Sequence, residues 1–154
     1  MSSQDARLLA GQILETIPVI MRAIASEFRQ SEHDLAAPHF RLLWMLSRRS
    51  CTLSELAEKQ LVSLPTMSNS VSILEERGWV IRTRSDDDRR KVTIELSQAG
   101  RLVLSEVQQQ AEVRLAEHLS SLSLEERDKL LEGLAILRDV FLPVQMCSAE
   151  EVTT

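Results

Sequence analysis

Arg82, Arg84, Arg89, Arg90 and Lys91 crowd one short stretch of the chain, interleaved with Asp86-Asp87-Asp88. Guanidinium and ammonium groups in such numbers suit phosphate, arginine as a two-pronged donor and lysine as a point charge. The three aspartates lack the further ligands and the Gly and Glu spacing of a calcium loop, so they read as the solvated tip of a turn. His33, His39 and His118, with Glu32 or Asp34, are the residue types of a zinc site. Their spacing fixes no three of them on one face, and surface or helix-end histidines are the plainer reading, with no metal expected. Cys51 and Cys147 stand far apart with no CxxC spacing, which suggests reduced thiols in a cytosol. A redox switch at Cys51 would need a resolving cysteine nearby; with only Arg48 and Arg49 as basic neighbours, it reads as a small buried residue. Nothing groups a nucleophile with a base and an orienting residue, so the chain is not expected to be an enzyme.

The 154 residues include only 4 Gly and 5 aromatics, which excludes further classes. Glycines at 11, 78, 100 and 133 are too scattered for a phosphate loop or a dinucleotide fingerprint. Five aromatic residues are too few for a platform that stacks single-stranded bases. The net charge of −5 argues against a polyanion until it is divided by segment. Residues 1–37 carry −2, residues 38–101 carry +3 and residues 102–154 carry −6, so positive charge belongs to the middle alone. The N-terminus lacks the layout of a signal peptide, and no apolar run is expected to reach the length of a membrane span. A cytoplasmic protein with no membrane partner and no cofactor is the expectation.

Spacing supplies the elements that must carry these groups. Leu9, Ile13, Ile17, Ile20, Ile24 and Phe28 recur at steps of three and four, predicting a long amphipathic helix with a kink at Pro18. A shorter helix follows over 40–46. Thr52-Leu53-Ser54-Glu55 is a capping box opening a helix over Leu53–Gln60. Ser63 caps the next, with Pro65 in its first turn, Met67, Val71 and Leu74 as its buried stripe, and Gly78 as its left-handed stop. Two short helices so close together make a helix-turn-helix. Residues 79–84 and the alternating Lys91–Leu96 then predict two strands around a charged tip over 85–90. A helix-turn-helix followed by a charged hairpin is a winged helix, and this position makes phosphate binding by the arginine cluster the stronger reading. Ser97 caps a further helix with Val103, Val107, Ala111, Leu115 and Leu119 as its stripe. A second capping box at Ser123–Glu126 opens a last helix, expected to stop before Pro143.

The expected fold is therefore mainly α with a small antiparallel β-hairpin. Residues 1–37 form an N-terminal dimerisation helix and connector, 38–101 the winged helix-turn-helix, 102–142 C-terminal dimerisation helices and 143–154 a frayed tail. A single winged module does not need both flanking helices for its own core, so they are expected to pair with a second copy. Phe28, Phe40, Arg41, Trp44 and Met45 either line an effector cavity for a small aromatic acid or simply fill the core.

Leu53-Ser54-Glu55-Leu56-Ala57, the run Val71–Val80, Asp88-Arg89-Arg90 and Leu96-Ser97-Gln98-Ala99-Gly100 together resemble a MarR-family transcriptional regulator, over roughly residues 5–142. The resemblance implies a homodimer on a pseudo-palindromic operator in double-stranded DNA, acting as a repressor that an aromatic or phenolic effector releases. Pro65, Thr66, Ser68, Asn69 and Ser72, with the cap Ser63, match the DNA-reading turns of the family's recognition helix. Arg90 matches the wing arginine that enters the minor groove and Asp88 the aspartate that orients it, leaving Arg82, Arg84, Arg89 and Lys91 for phosphates. Asn69 and Ile73 depart from the family pattern, where Arg and a basic or polar residue are common. That departure keeps open a winged-helix protein-interaction module without DNA binding, as the histidines and Cys51 keep open a metal- or redox-sensing regulator.

Overall fold

The computed structural model describes residues 3–84 and 92–147, with side chains over 4–84 and 92–141. Two compact units divide the chain, 1–115 and 116–154. The first unit opens with α1 (Ser3–Arg29), which contains Pro18, followed by α2 (Ala37–Arg48). A two-residue strand β1 (Cys51–Thr52) leads into α3 (Leu53–Gln60) and α4 (Leu64–Glu76), the expected helix-turn-helix. Strands β2 (Val80–Arg84) and β3 (Val92–Leu96) follow, then α5 (Gln98–Leu119). The last helix, α6 (Leu124–Cys147), lies in the second unit.

The expected hairpin has a third strand. The sheet order is β1-β3-β2, with Cys51 opposite Ile94 and Val80 opposite Leu96, both pairings antiparallel. Two residues carry no periodicity, so β1 is invisible in the sequence, where Thr52 reads only as a cap. That cap is present: Glu55 N–H donates to Thr52 Oγ1 (3.2 Å) and Thr52 N–H to Glu55 Oε2 (2.7 Å). The core of this unit joins Leu42, Leu43 and Leu46 of α2, Leu56 of α3, the α4 stripe Met67, Val71 and Leu74, and Ile94 of β3.

The turn after α4 is stitched to the start of α5. Gly78 has φ +75°, and Trp79 N–H reaches back to Leu74 O (2.9 Å), a left-handed helix stop. Ser97 Oγ donates to Gly78 O (2.6 Å) and accepts from Gly100 N–H (3.0 Å), so one hydroxyl caps α5 and ties it to that corner. Gly100 is pressed so close that an added Cβ would fall 2.1 Å from Trp79 O.

Two expectations are corrected. The segment Gln4–Arg29 of α1 is long and apolar enough to cross a membrane by length and composition, with an 18-residue window of mean hydropathy 1.5. Glu15 and Arg22 interrupt its stripe, but two charges do not pull so apolar a window down. The helix α6 also runs through Pro143 to Cys147, because proline's fixed φ suits a helix and its missing N–H removes one bond.

Candidate nucleic-acid interface

The first turn of α4 is built by Ser63, whose Oγ accepts from Thr66 N–H (3.3 Å) and bonds Thr66 Oγ1 (2.8 Å). Because Met67, Val71 and Leu74 are sunk in the core, Pro65, Thr66 and Asn69 stand exposed, with Ser68 and Ser72 half-buried at their flanks. From Gln60 to Leu74 no residue is charged. The turn before α4 is held by Val62 N–H donating to Ala57 O (3.0 Å) and by Leu61 in a left-handed conformation, φ 54°. Leu61 is 93% exposed and Leu64 49% exposed. Neither figures among the expected site residues, since an apolar residue beside a cap reads as core.

Arg82 on β2 reaches back to this helix through two of its donors. Its Nε donates to Glu75 Oε2 (3.0 Å) and its Nη2 to Ser72 Oγ (3.1 Å), so the side chain expected to serve a phosphate also braces β2 against α4. Arg84 lies exposed at the end of β2. Asp88, Arg89, Arg90 and Lys91 lie outside the described residues.

The five effector candidates do not share one setting. Phe28 and Phe40 stack on each other, centroids 4.0 Å apart and planes 22° apart. Met45 packs against the core and accepts from Gln60 Nε2 at Sδ (3.9 Å). Arg41 is exposed, and Trp44 is exposed with the Arg48 guanidinium 5.0 Å from its ring.

The histidines and Cys51 are placed as follows. His33 Nε2 meets Glu106 Oε2 at 2.7 Å, while burial and the neighbouring Arg77 push the His39 imidazole down from its ordinary value. Among the described residues no three His, Cys, Asp or Glu side chains gather as a metal set. Cys51 is buried in β1, and burial pushes its thiol up, away from the reactive thiolate.

Comparison with known proteins agrees with this geometry. Residues 33–91, the span from the α1–α2 connector to the hairpin, match the model of the MarR family. BldR, a transcriptional regulator from Sulfolobus solfataricus, is 30% identical with a TM-score of 0.66, over 90% of this chain and 99% of that one. The chain belongs to the MarR family. A second relative, the uncharacterized HTH-type transcriptional regulator YfiV of Bacillus subtilis, is 30% identical over 105 residues, 68% of this chain and 66% of that protein. The chain thus spans just under two thirds of that relative's length. The crystal structure of Streptococcus pneumoniae FabT in complex with DNA shares the fold at 22% identity, with a TM-score of 0.61 over 93% of this chain and 99% of that one. The MarR family and these relatives are transcriptional regulators, not enzymes.

Proposed function

We propose that this chain is a cytoplasmic, homodimeric repressor that binds a pseudo-palindromic operator in duplex DNA and is released by a small aromatic acid. The observation that carries the reading is the outward face of α4. Pro65, Thr66, Ser68, Asn69 and Ser72 form an uncharged surface that approaches base edges without burying an unpaired charge, and Arg82 indexes it to the wing. A relative of the same fold has been crystallised on DNA. Arg90, held in direction by Asp88, enters the minor groove, and Arg84, Arg89 and Lys91 take phosphates.

The exposed apolar stripe of α1 supports the dimer. Ile17 and Ile20 face out of the protomer, as do Leu134 and Phe141 of α6. A second copy is the better cover for α1 than lipid, because Glu15 and Arg22 would be costly within a bilayer. For the effector, Trp44 offers an exposed ring and Arg41 a guanidinium for a carboxylate, while Phe28 and Phe40 stack on each other and Met45 packs against the core.

The test is a gel shift on genomic fragments. Wild-type protein retains fragments with an affinity that falls steeply with salt, as phosphate contacts release counterions. Arg90→Ala weakens retention sharply without altering the fold, and salicylate releases the fragment and moves the thermal midpoint. Retention of no fragment at low salt would replace this reading with the protein-interaction module.

A further inference from the structure

The surface of α4 is peculiar in what it lacks as well as in what it shows. In the major groove the commonest specific contact is Arg or Lys to the O6 and N7 of guanine, Asn or Gln reads adenine N6 and N7, and apolar groups contact the thymine methyl. This helix offers no cation from residue 60 to residue 74. The cation braced against it from β2, Arg82, turns its Nε and one Nη2 N–H to Glu75 and Ser72 at 3.0 and 3.1 Å. Outward on the helix stand the Asn69 amide, Pro65 and the Thr66 side chain, all exposed, with Ile73 half-buried one turn beyond Asn69 and Ser72, which accepts from Arg82, half-buried on the other flank.

Helical spacing puts these groups on one surface. The buried stripe Met67, Val71 and Leu74 points into the core, so Pro65 and Asn69, one turn apart, lie close to the centre of the opposite face. Ser72 borders it on one side, and Thr66 and Ile73 on the other, while Leu64 lies round toward the buried stripe. An amide beside Pro65 and the Thr66 methyl matches what an A·T pair displays in the major groove: an acceptor and a donor on adenine, and a methyl on thymine.

We propose that α4 selects A·T pairs at the core of each half-site, with the Asn69 amide on adenine and Pro65 and the Thr66 methyl against thymine methyls. The proposal rests on the DNA-binding reading above and adds the class of sequence that the helix reads. Guanine contributes little at the positions α4 touches.

A library of duplexes with randomised cores, selected on the full-length protein, yields the probe. The recovered duplex is then remade with deoxyuridine for thymidine, which removes only the C5 methyl, and separately with 7-deazaadenine, which removes only N7. Each replacement within the half-site core weakens wild-type binding roughly fivefold or more. Thr66→Ser, which removes only a methyl group, lowers the sensitivity to deoxyuridine, Asn69→Ala loses the sensitivity to 7-deazaadenine, and circular dichroism confirms that both variants fold, as their exposed positions allow. If the protein binds the recovered duplex but ignores both replacements, or responds instead to 7-deazaguanine in the core, the inference is overturned and DNA binding stands. Recovery of no duplex at low salt overturns both readings together.

Discussion

Gly100 sits where the backbone of α5 touches the corner between α4 and β2, and its missing side chain is what lets Ser97 reach both Gly78 O and Gly100 N–H. Gly100→Ala would set a methyl 2.1 Å from Trp79 O, a backbone atom that cannot swing aside. The expected cost is about 1–3 kcal/mol, the range for overpacking a closed site, read as a lower urea midpoint with unchanged slope. A second residue effect is proton-linked. Burial and Arg77 hold the His39 pKa below its ordinary value, so the unfolded chain takes up the proton first as the solution is acidified. The stability that neutral His39 provides is complete above the unfolded pKa, roughly 6.5, and is lost as pH falls below it toward the depressed folded value. Urea titrations at neutral and mildly acid pH should show this loss in the wild type, and His39→Gln should remove that part of the slope. Residues of this kind are poorly legible in a sequence. His39 and Arg77 are distant along the chain, and the clash at Gly100 involves a carbonyl that only the fold brings there.

Among the elements, the helices were legible because they repeat. The stripe of α4, that of α5 as far as Ala111, and both capping boxes are where their spacing puts them, with Thr52–Glu55 and Ser123–Glu126 each closed by reciprocal bonds, whereas Leu115 is half-buried and Leu119 exposed. The strand β1 was not, since two residues have no period, and Pro143 punctuates α6 without ending it. The contacts between elements were also hidden: Arg82 reads as one more wing cation until the turn at Gly78 folds it back onto Glu75. That ion pair is partly exposed on both sides, so it contributes at most about 1 kcal/mol to stability. Arg82→Gln is accordingly expected to move the thermal midpoint little. It should nevertheless weaken DNA binding, because β2 is no longer indexed to α4. A fall in stability matching the loss of affinity would show that Arg82 acts on the fold alone.

For the whole molecule, the distribution of charge and apolar surface matters more than the totals. The only net positive segment, residues 38–101, contains both α4 and the wing, while the flanking helices carry the acid and an uncovered apolar stripe. Ile20→Glu places a charge on that stripe at a position exposed in the protomer, so the winged module keeps its fold. The expected outcome is a shift from dimer to monomer in sedimentation equilibrium, with operator affinity reduced far more than nonspecific binding. A variant that stays dimeric would move the interface away from α1.

The strand order β1-β3-β2 has a consequence for how the protein is made. The central strand is the last of the three to be synthesised, and it pairs Cys51 with Ile94 across most of the module. As the chain leaves the ribosome, α3 and α4 emerge with their caps complete but without the Ile94 floor on which their buried faces rest. A nascent chain arrested before residue 92 thus contains every residue of the helix-turn-helix and still exposes the apolar side of it.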